Sequence, residues 1–391
     1  MTSGGTGKTI SHREEFPGLI NKAYFNYGGQ GPMPQRAIEA IAEFYHLIQY
    51  LGPFSGQVHD LQESSALRTK EAISSELKVP TATITLTEDV TVGCNIAMWG
   101  MDWRGGDRML LTDCEHPGIV ATAKEISRRF DLEVSTCGVM ATLNQGNPIE
   151  VIASAVQPTT RLVILSHILW NTGQVLPLAE IVKACKSVNS NVKILVDAAQ
   201  SVGILPLNLI DEGVDFYAFT GHKWWCGPEG VGGLYVSQEA REDLHPTFIG
   251  WRGIVTDNAG HPVGWKPDGG RYEIATSAYP LYAGLREAIG LHSAWGTAQE
   301  RYQHICELSA YLWQKLTQVE GVICLRESPP LSGLVSFQLA NKKHCQLVKF
   351  LETQNIMVRT IRDPDCVRAC VHYFTLESEI EQLVSLIANQ Y

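Results

Sequence analysis

Short apolar runs rich in β-branched residues alternate with longer stretches of helical periodicity over the first two thirds of the chain. The runs RMLLT, RLVILS, KILV and FYAF each have the length and composition of a buried strand. Strands and helices alternate from about residue 81 to residue 237, which predicts βαβ units, a mainly parallel sheet and the α/β class. Open sheets of this class bind ligands at the carboxyl ends of their strands.

The N-terminal part of the chain shows a polar segment and then one amphipathic helix. Residues 1–15 are polar and we expect them to be mobile, whereas the N-terminal segment 1–20 as a whole is expected to pack with a smaller domain. Pro34 opens a predicted helix. The apolar face of that helix is predicted to consist of Ile38, Ile41, Ala42 and Tyr45.

The C-terminal part predicts that smaller α/β domain. After a helix-rich connection, the segments VICL, LVSFQL, IMVRT and CVRACVHYF have the composition of strands. The last helix carries an apolar stripe made of Ile380, Leu383, Val384 and Ile387. We therefore expect a large domain over residues 21–282 and a small C-terminal domain over residues 283–391.

Composition narrows the class of protein. The chain has 391 residues and a mass of 43.1 kDa, enough for two domains with sizeable cores. A net charge of -10 argues against nucleic acid or an anionic membrane as a partner. No apolar run approaches the roughly 20 residues of a membrane span, and we see no signal peptide. The ten cysteines include no CxxC pair, so we expect no metal site, no disulfide framework and a reducing cytoplasm.

Two predicted strand ends carry polar side chains that are costly to bury without a function. One apolar run stops at Asp197, and the next leads into Thr220, His222 and Lys223. Pyridoxal phosphate (PLP) needs a lysine for its Schiff base, an anion against its pyridine nitrogen and donors for its phosphate. Lys223 would supply the amine, Asp197 the anion, and Thr220 with His222 the phosphate donors. A helix-capping aspartate and a surface lysine are the alternative interpretation.

The order of these motifs, VDAAQ around Asp197 and then GHK ending at Lys223 26 residues later, resembles the class V aminotransferase and cysteine desulfurase family of PLP enzymes. The resemblance covers the chain from about Tyr24 to Leu386. It implies fold type I, with a mainly parallel seven-stranded sheet in a large domain and a small C-terminal domain. It also implies PLP as the cofactor and a homodimer with shared active sites.

The same resemblance implies further residues that bind the cofactor. A helix that starts near Val90 would offer its first N–H groups and the Thr91 hydroxyl to the phosphate. His116, directly after a strand, matches the histidine that stacks on the pyridine ring. Near the ring O3′ the family has an asparagine. Here Trp170 occupies that position and Asn171 follows it, so either could face the cofactor.

Other matches concern the partner subunit and the substrate. Gln200 can supply a contact to the ring O3′. Thr276 matches a threonine that reaches the phosphate of the partner subunit. The loop with Gly28 and Gly29 is implied to lie at the substrate mouth, and a plain turn is the alternative. Trp251, with the adjacent Arg252, is a candidate for the wall of the substrate pocket.

The segment RACVHYF matches the family strand whose arginine binds the substrate carboxylate. Arg368 is thereby implied to be the carboxylate ligand, with Arg359 as a second candidate. Cysteine desulfurases carry a long loop with a nucleophilic cysteine between these positions, whereas this chain has only TIRDPDCV. Cys366 in that short connection lacks the reach for a sulfur relay, so we disfavour desulfuration.

We therefore predict β-elimination from L-cystine, and less well from L-cysteine, to pyruvate, ammonia and a persulfide or sulfide. The layout, with its short loop, is similar to the cyanobacterial cystine/cysteine C–S lyases, which implies sulfur supply to an iron–sulfur acceptor protein. The open alternatives are a cysteine desulfurase or selenocysteine lyase that uses Cys366, and another PLP lyase or epimerase of the family. A catalytically silent binding protein is disfavoured because Lys223 and Asp197 are both present.

Overall fold

A computed structural model describes residues 3–340 and 343–389 of the chain. Its helices, in chain order, are α1 (Ser3–Arg13), α2 (Gln35–Leu51), α3 (Gly56–Leu77), α4 (Val90–Trp99), α5 (Pro117–Phe130), α6 (Pro148–Ala155), α7 (Leu178–Val188), α8 (Leu209–Glu212), α9 (Ala240–Asp243), α10 (Tyr279–Trp295), α11 (Ala298–Thr317), α12 (His344–Thr353) and α13 (Glu377–Ala388). Among these described helices none is long and apolar enough to cross a membrane.

The strands form one large sheet and three smaller ones. In chain order they are β1 (Ala23–Tyr24), β2 (Ile84–Thr87), β3 (Arg108–Thr112), β4 (Glu133–Cys137), β5 (Thr160–Ser166), β6 (Lys193–Asp197), β7 (Phe216–Thr220), β8 (Gly232–Val236), β9 (Ile254–Thr256), β10 (Pro262–Trp265), β11 (Val322–Cys324), β12 (Leu334–Leu339), β13 (Ile356–Met357), β14 (Arg359–Arg362) and β15 (Asp365–Cys370). The four runs predicted to be buried strands correspond to β3, β5, β6 and β7.

The large sheet has seven strands in the order β2-β8-β7-β6-β5-β3-β4. All neighbouring pairs are parallel except those that involve β8, which runs antiparallel to β2 and β7. Strands β5, β6 and β7 are buried along almost their whole length because helices cover both faces. The predicted seven-stranded, mainly parallel sheet is thus confirmed. Because β5, β6 and β7 are parallel, their last residues, Ser166, Asp197 and Thr220, lie side by side at the carboxyl ends of the strands.

The C-terminal strands form an antiparallel sheet in the order β11-β12-β15-β14, packed on α11, α12 and α13. In this sheet Arg368 of β15 lies opposite Arg359 of β14 and Ser336 of β12. The chain reaches this domain through α10, which runs through residue 282 without a break. The boundary predicted at 282/283 therefore falls inside a helix, and we propose Gly296, directly after α10, as the point of division.

Two local predictions differ from the structure. The polar N-terminal residues form α1, held by hydrogen bonds and an ion pair from Arg13 to Phe374 and Glu379. The two residues in each of these contacts are more than 350 positions apart in sequence. The polarity of the N-terminal residues alone therefore did not reveal the contacts. Helix α2 begins after Pro34 as predicted, but it buries Ala37 and Phe44. The close approach of α10 decides which face is covered.

Candidate active site

One cavity of about 290 Å³ lies at the carboxyl ends of the parallel strands, under the edge of the small domain. The segments that build it are the loop before α2, the start of α4, the ends of β5 and β6, the turn after β7, and β14 with β15. The lining residues are Gly28, Gly29, Asp89, Val90, Thr91, His116, Ser166, Ile168, Trp170, Asp197, Ala199, Gln200, His222, Lys223, Arg359 and Arg368.

Lys223 and Asp197 face this cavity from the ends of neighbouring strands. Burial lowers the pKa of Lys223 to about 8, although the Asp197 carboxylate opposes this shift. The uncharged, nucleophilic form of the Lys223 amine is therefore much more accessible near neutral pH than that of an ordinary lysine. Burial also raises the pKa of Asp197, while the Ala199 N–H, 3.0 Å from Oδ1, and Lys223 act against this. The pair provides an amine and an anion in one enclosed space.

The start of α4 forms an anion-binding end of the cavity. Asp89 caps the helix by accepting a hydrogen bond from the Val92 N–H at 2.9 Å. Val90 and Thr91, the first two residues of the helix, line the cavity. The positive end of the helix dipole and the first N–H groups of a helix suit a phosphate group.

His222 stands beside this helix start and is oriented by Thr220. The Thr220 hydroxyl lies 2.7 Å from Nδ1 of His222, and Thr220 itself is fully buried behind the cavity wall. Burial lowers the pKa of His222. We infer that His222 meets the phosphate and that Thr220 acts on it through the imidazole, rather than as the direct ligand that the sequence suggested.

His116 and Trp170 form an aromatic wall. Nδ1 of His116 accepts a hydrogen bond from the Gly118 N–H at 3.2 Å, which leaves the proton of the neutral ring on Nε2. Burial lowers the pKa of His116, so the ring is uncharged at neutral pH. The Trp170 ring meets it edge-on at 6.1 Å. An uncharged imidazole is suited to stacking on a cofactor ring.

Arg368 presents a buried guanidinium group to the cavity. Its side chain is 2% exposed, and Nη1 donates to the Trp170 carbonyl at 2.6 Å. Within residues 3–340 and 343–389, the Nε atom of Arg368 is buried without a hydrogen-bond partner, and no carboxylate pairs with this guanidinium. A buried cation without an anion is costly. The arrangement fits a carboxylate supplied by a ligand.

Gly28 leaves the space that Arg368 occupies. A Cβ atom at residue 28 would lie 2.9 Å from both Cζ and Nη2 of the guanidinium. We expect Gly28→Ala to displace Arg368 and to raise KM about 10-fold, with a smaller change in kcat. Steady-state kinetics would measure this. Gly290→Ala is the matched control, because a Cβ at that position in α10 meets no atom within 4 Å. An unchanged KM in Gly28→Ala would remove Arg368 from the substrate site.

The cavity fits PLP in charge and donor chemistry. Lys223, Arg359 and Arg368 outnumber the two acids, Asp89 and Asp197, so the site favours an anionic cofactor and an anionic substrate. The buried Arg368 Nε still needs an acceptor. The helix start suits a phosphate, and the buried amine suits an aldehyde. These residues would hold PLP by its phosphate, its aldehyde carbon and its pyridine nitrogen.

The structure places several predicted residues away from the cavity. Asn171 is buried outside it, with Nδ2 donating to the Asp363 carbonyl at 3.2 Å, so Trp170 and not Asn171 faces the cavity. Thr276 lines a second cavity beside Glu88. Trp251 is 56% exposed and lies on neither. Arg252, named with it, is buried in an ion pair with Glu273 at 2.6 Å.

Gln200 belongs to the cavity wall, and part of its amide is already used. Its Nε2 donates to the Gly28 carbonyl and its Oε1 accepts from Nε1 of Trp224, each at 2.9 Å. The second amide proton remains for a ligand. Gln200 therefore also fixes the Gly28–Gly29 loop at the cavity mouth, where both glycines lie.

The sequence did not indicate Asp89 and Ser166 as lining residues, although both had a signal. Ser166 ends β5, next to β6, so the strand-end rule applied to Asp197 would have found it. Asp89 directly precedes the predicted helix and is a typical N-cap residue. Ser166 also donates to the buried Glu115 carboxylate, whose pKa burial raises to about 8.

The fold and the site define a PLP-dependent enzyme of fold type I. The chain belongs to the class-V aminotransferase family, whose model matches residues 23–384. It is 50% identical to a protein called C-DES, in two solved structures that cover 96% of this chain and 99% of that one. One, with a TM-score of 0.94, is a complex between "the cystine C–S lyase C-DES" and its reaction product cysteine persulfide. The other, with a TM-score of 0.95, is a lysine-to-alanine mutant with glycine covalently linked to the PLP cofactor.

More distant relatives have other activities. A probable cysteine desulfurase of Methanothermobacter thermautotrophicus is 25% identical over 395 residues, which are 96% of each chain. The isopenicillin N epimerase of Streptomyces clavuligerus is 28% identical over 389 residues, with 95% of this chain and 94% of that one covered. The predictions of the family, of fold type I and of PLP are confirmed. Membership of the family does not decide among elimination, desulfuration and epimerisation.

Proposed function

We propose that this enzyme is a C–S lyase that cleaves L-cystine, and less well L-cysteine, by β-elimination. With cystine and water the products are pyruvate, ammonia and cysteine persulfide, and with cysteine the sulfur leaves as sulfide. The Cβ–S bond breaks and its electron pair leaves with the sulfur fragment. The Cα proton is removed, and water later replaces nitrogen at Cα. This reaction needs neither an oxidant nor a protein thiol.

The side chains of the cavity have distinct roles in this proposal. When bound, PLP supplies an electron sink for the charge that forms at the substrate Cα. Asp197 would hold the pyridine nitrogen protonated, and His116 would lie against the ring. Lys223, whose pKa burial lowers to about 8, would carry the cofactor and then, as a free amine, take the Cα proton. Arg368 would hold the substrate carboxylate.

The observation that carries the proposal is the position of the cysteines. All ten lie in the part of the chain that the structure describes, and none lines the cavity. Cys366 is fully buried in β15, and burial raises its pKa to about 12. A desulfurase needs an accessible thiolate that touches the substrate sulfur. The connection between β14 and β15 is a short hairpin closed by the pair Arg362 and Asp365, which cannot carry a thiol into the cavity.

Cys366→Ala is the variant that tests this point. We expect pyruvate formation from cystine to stay within about twofold of the wild type, since no protein thiol takes part. We also expect a lower melting temperature, because Cys366 is buried and loss of its sulfur leaves a small cavity. Cys345→Ala is the matched control because Cys345 is exposed at the start of α12. Loss of sulfur release in Cys366→Ala alone, with the protein folded and loaded, would favour desulfuration.

Two other reactions of the family remain as named alternatives, a desulfurase or selenocysteine lyase and another PLP lyase or epimerase. The desulfurase relative supports the first and the epimerase relative supports the second. Each gives a different product: alanine from desulfuration, pyruvate from elimination and a D-amino acid from epimerisation. The cavity favours elimination over desulfuration because it offers a lysine base and an arginine for the substrate carboxylate but no thiol.

The proposal extends to partners and compartment. A homodimer is supported by the exposed apolar residues Phe248, Ile249 and Trp251. Phe248 lines the same cavity as Thr276, which would reach the phosphate in the partner subunit. An iron–sulfur acceptor protein would take the persulfide sulfur in the cytoplasm. Sedimentation of the purified enzyme would test the dimer: a monomer at micromolar concentration would contradict it.

A further inference from the structure

A cluster of buried histidines lies directly behind Lys223. The next two residues, Trp224 and Trp225, are fully buried, and the carbonyl of each meets an imidazole. Nε2 of His372 lies 2.9 Å from the Trp224 carbonyl, and Nε2 of His292 lies 2.8 Å from the Trp225 carbonyl. A carbonyl oxygen can only accept, so in both imidazoles Nε2 carries the proton and donates it.

The remaining nitrogen of each ring is also occupied. Nδ1 of His372 accepts from the Tyr373 N–H at 3.1 Å, and Nδ1 of His292 accepts from the Tyr373 hydroxyl. That hydroxyl in turn accepts from Nε2 of His12 at 2.8 Å. In the series from His12 through the Tyr373 hydroxyl and His292 to the Trp225 carbonyl, each group therefore donates a hydrogen bond to the next. Burial lowers the pKa of His372 to about 3 and that of His12 to about 4, which keeps these rings neutral.

This arrangement excludes a metal at the same place. Cys226, His292 and His372 bring their ligand atoms within 4.8 Å of one another, as a metal site would. However, both nitrogens of each imidazole already have a protein partner, so neither ring has a free lone pair for an ion. The thiol of Cys226 is buried, and burial raises its pKa, which disfavours the thiolate that a metal needs.

The residues of the cluster come from three separate parts of the chain. His12 belongs to α1, His292 to α10, and His372 with Tyr373 follows β15 of the small domain. Their bonds converge on two consecutive peptide groups next to Lys223. A lysine amine lies at the end of a flexible four-carbon side chain. Its position therefore depends on how firmly the main chain of the lysine is held. A displacement of about 1 Å at a catalytic group can cost about 100-fold in rate.

We propose that His292 and His372 are positioning residues that hold the Trp224 and Trp225 peptides and so fix the position of Lys223. We call this pair the histidine clamp; it rests on the proposed role of Lys223 as the residue that carries the cofactor. His12 and Tyr373 act on the clamp by fixing the tautomer of His292. The N-terminal helix and the small domain are thereby joined to the catalytic lysine.

The test compares three variants of the PLP-loaded enzyme. His372→Phe keeps an aromatic ring against Trp224 but removes the donor, and we expect kcat to fall about 10-fold or more with KM changed less. His372→Gln offers an N–H donor and should recover most of kcat. His304→Phe is the matched control, because His304 bonds the Tyr373 carbonyl in the same cluster without reaching Trp224 or Trp225. Equal losses in His372→Phe and His372→Gln would overturn the proposal, since packing alone would then explain them.

Amide hydrogen exchange gives a readout that needs no substrate. The N–H groups of Gly31, Cys226 and Gly227 bond to the carbonyls of His222, Lys223 and Gly221. In His372→Phe we expect these amides to exchange about 10-fold faster, with no change in His304→Phe. Should His372→Phe not fold, Tyr373→Phe removes only the hydroxyl that fixes His292 and should accelerate the same amides. Wild-type exchange in the folded variants would overturn the clamp, whereas failure to form pyruvate from cystine would overturn only the proposed function.

Discussion

Replacing Lys223 by alanine should lower kcat by at least about 1,000-fold, whichever substrate is used. Lys223 is the only lysine that lines the cavity of the described chain, and burial lowers its pKa toward neutrality. It would serve both as the attachment point of the cofactor and as the base at Cα. Steady-state kinetics and borohydride reduction followed by peptide mapping would measure the two roles separately.

Lys186→Ala is the control for this variant. Lys186 is a partly exposed lysine of α7 that pairs with Asp215 at 3.2 Å, away from the cavity. We expect its loss to leave kcat unchanged and the pyridoxyl label on Lys223. A label on any other lysine of the wild type would contradict the assignment. Partial recovery of Lys223→Ala by an added small amine would show that the missing group is the amine itself and not the packing of the site.

Asp197→Asn should retain PLP but lower kcat by about 100- to 10,000-fold. The amide has the shape of the carboxylate and can still accept the Ala199 N–H, but it carries no charge to keep the pyridine nitrogen protonated. The effect should therefore appear in kcat and not in cofactor affinity. Absorption titration with PLP, together with kinetics at saturating cofactor, would separate the two.

Asp215→Asn provides the matched comparison. Asp215 is also a buried acid beside β7, but it lies at the opposite end of the sheet and pairs with Lys186 and Lys193. Its replacement should lower the melting temperature and leave kcat nearly unchanged. If Asp197→Asn behaved in the same way as Asp215→Asn, Asp197 would be a structural residue.

Strand ends were the part of the site that could be predicted from the sequence. Asp197 and Lys223 follow apolar runs whose composition indicates buried parallel strands, and parallel strands end at a common edge. This local rule needs no knowledge of distant contacts. The family resemblance then added Arg368. This residue lies in the small domain, and the hydrophobic periodicity of the sequence does not show that it approaches the strand ends of the large sheet. The structure brings all three to one cavity.

What the sequence did not reveal depends on contacts between distant segments. Trp170 faces the cavity instead of Asn171 because the small domain holds this turn: Arg368 donates to the Trp170 carbonyl, and Ser336 donates to the Asn171 carbonyl at 2.7 Å. A shift of one residue in such a turn leaves no periodic signal. The buried face of α2 was likewise decided by α10, where Gly284 allows close approach to the main chain at Ala37.

The measurement that tests the central claim most directly is the product balance of the wild-type enzyme with L-cystine. We expect one pyruvate and one ammonia for each cystine consumed, with cysteine persulfide as the sulfur product and no alanine. This result follows from a cavity with a lysine base, a buried arginine for the carboxylate and no cysteine among its lining residues. Alanine in place of pyruvate, formed in proportion to the sulfur released, would contradict the account.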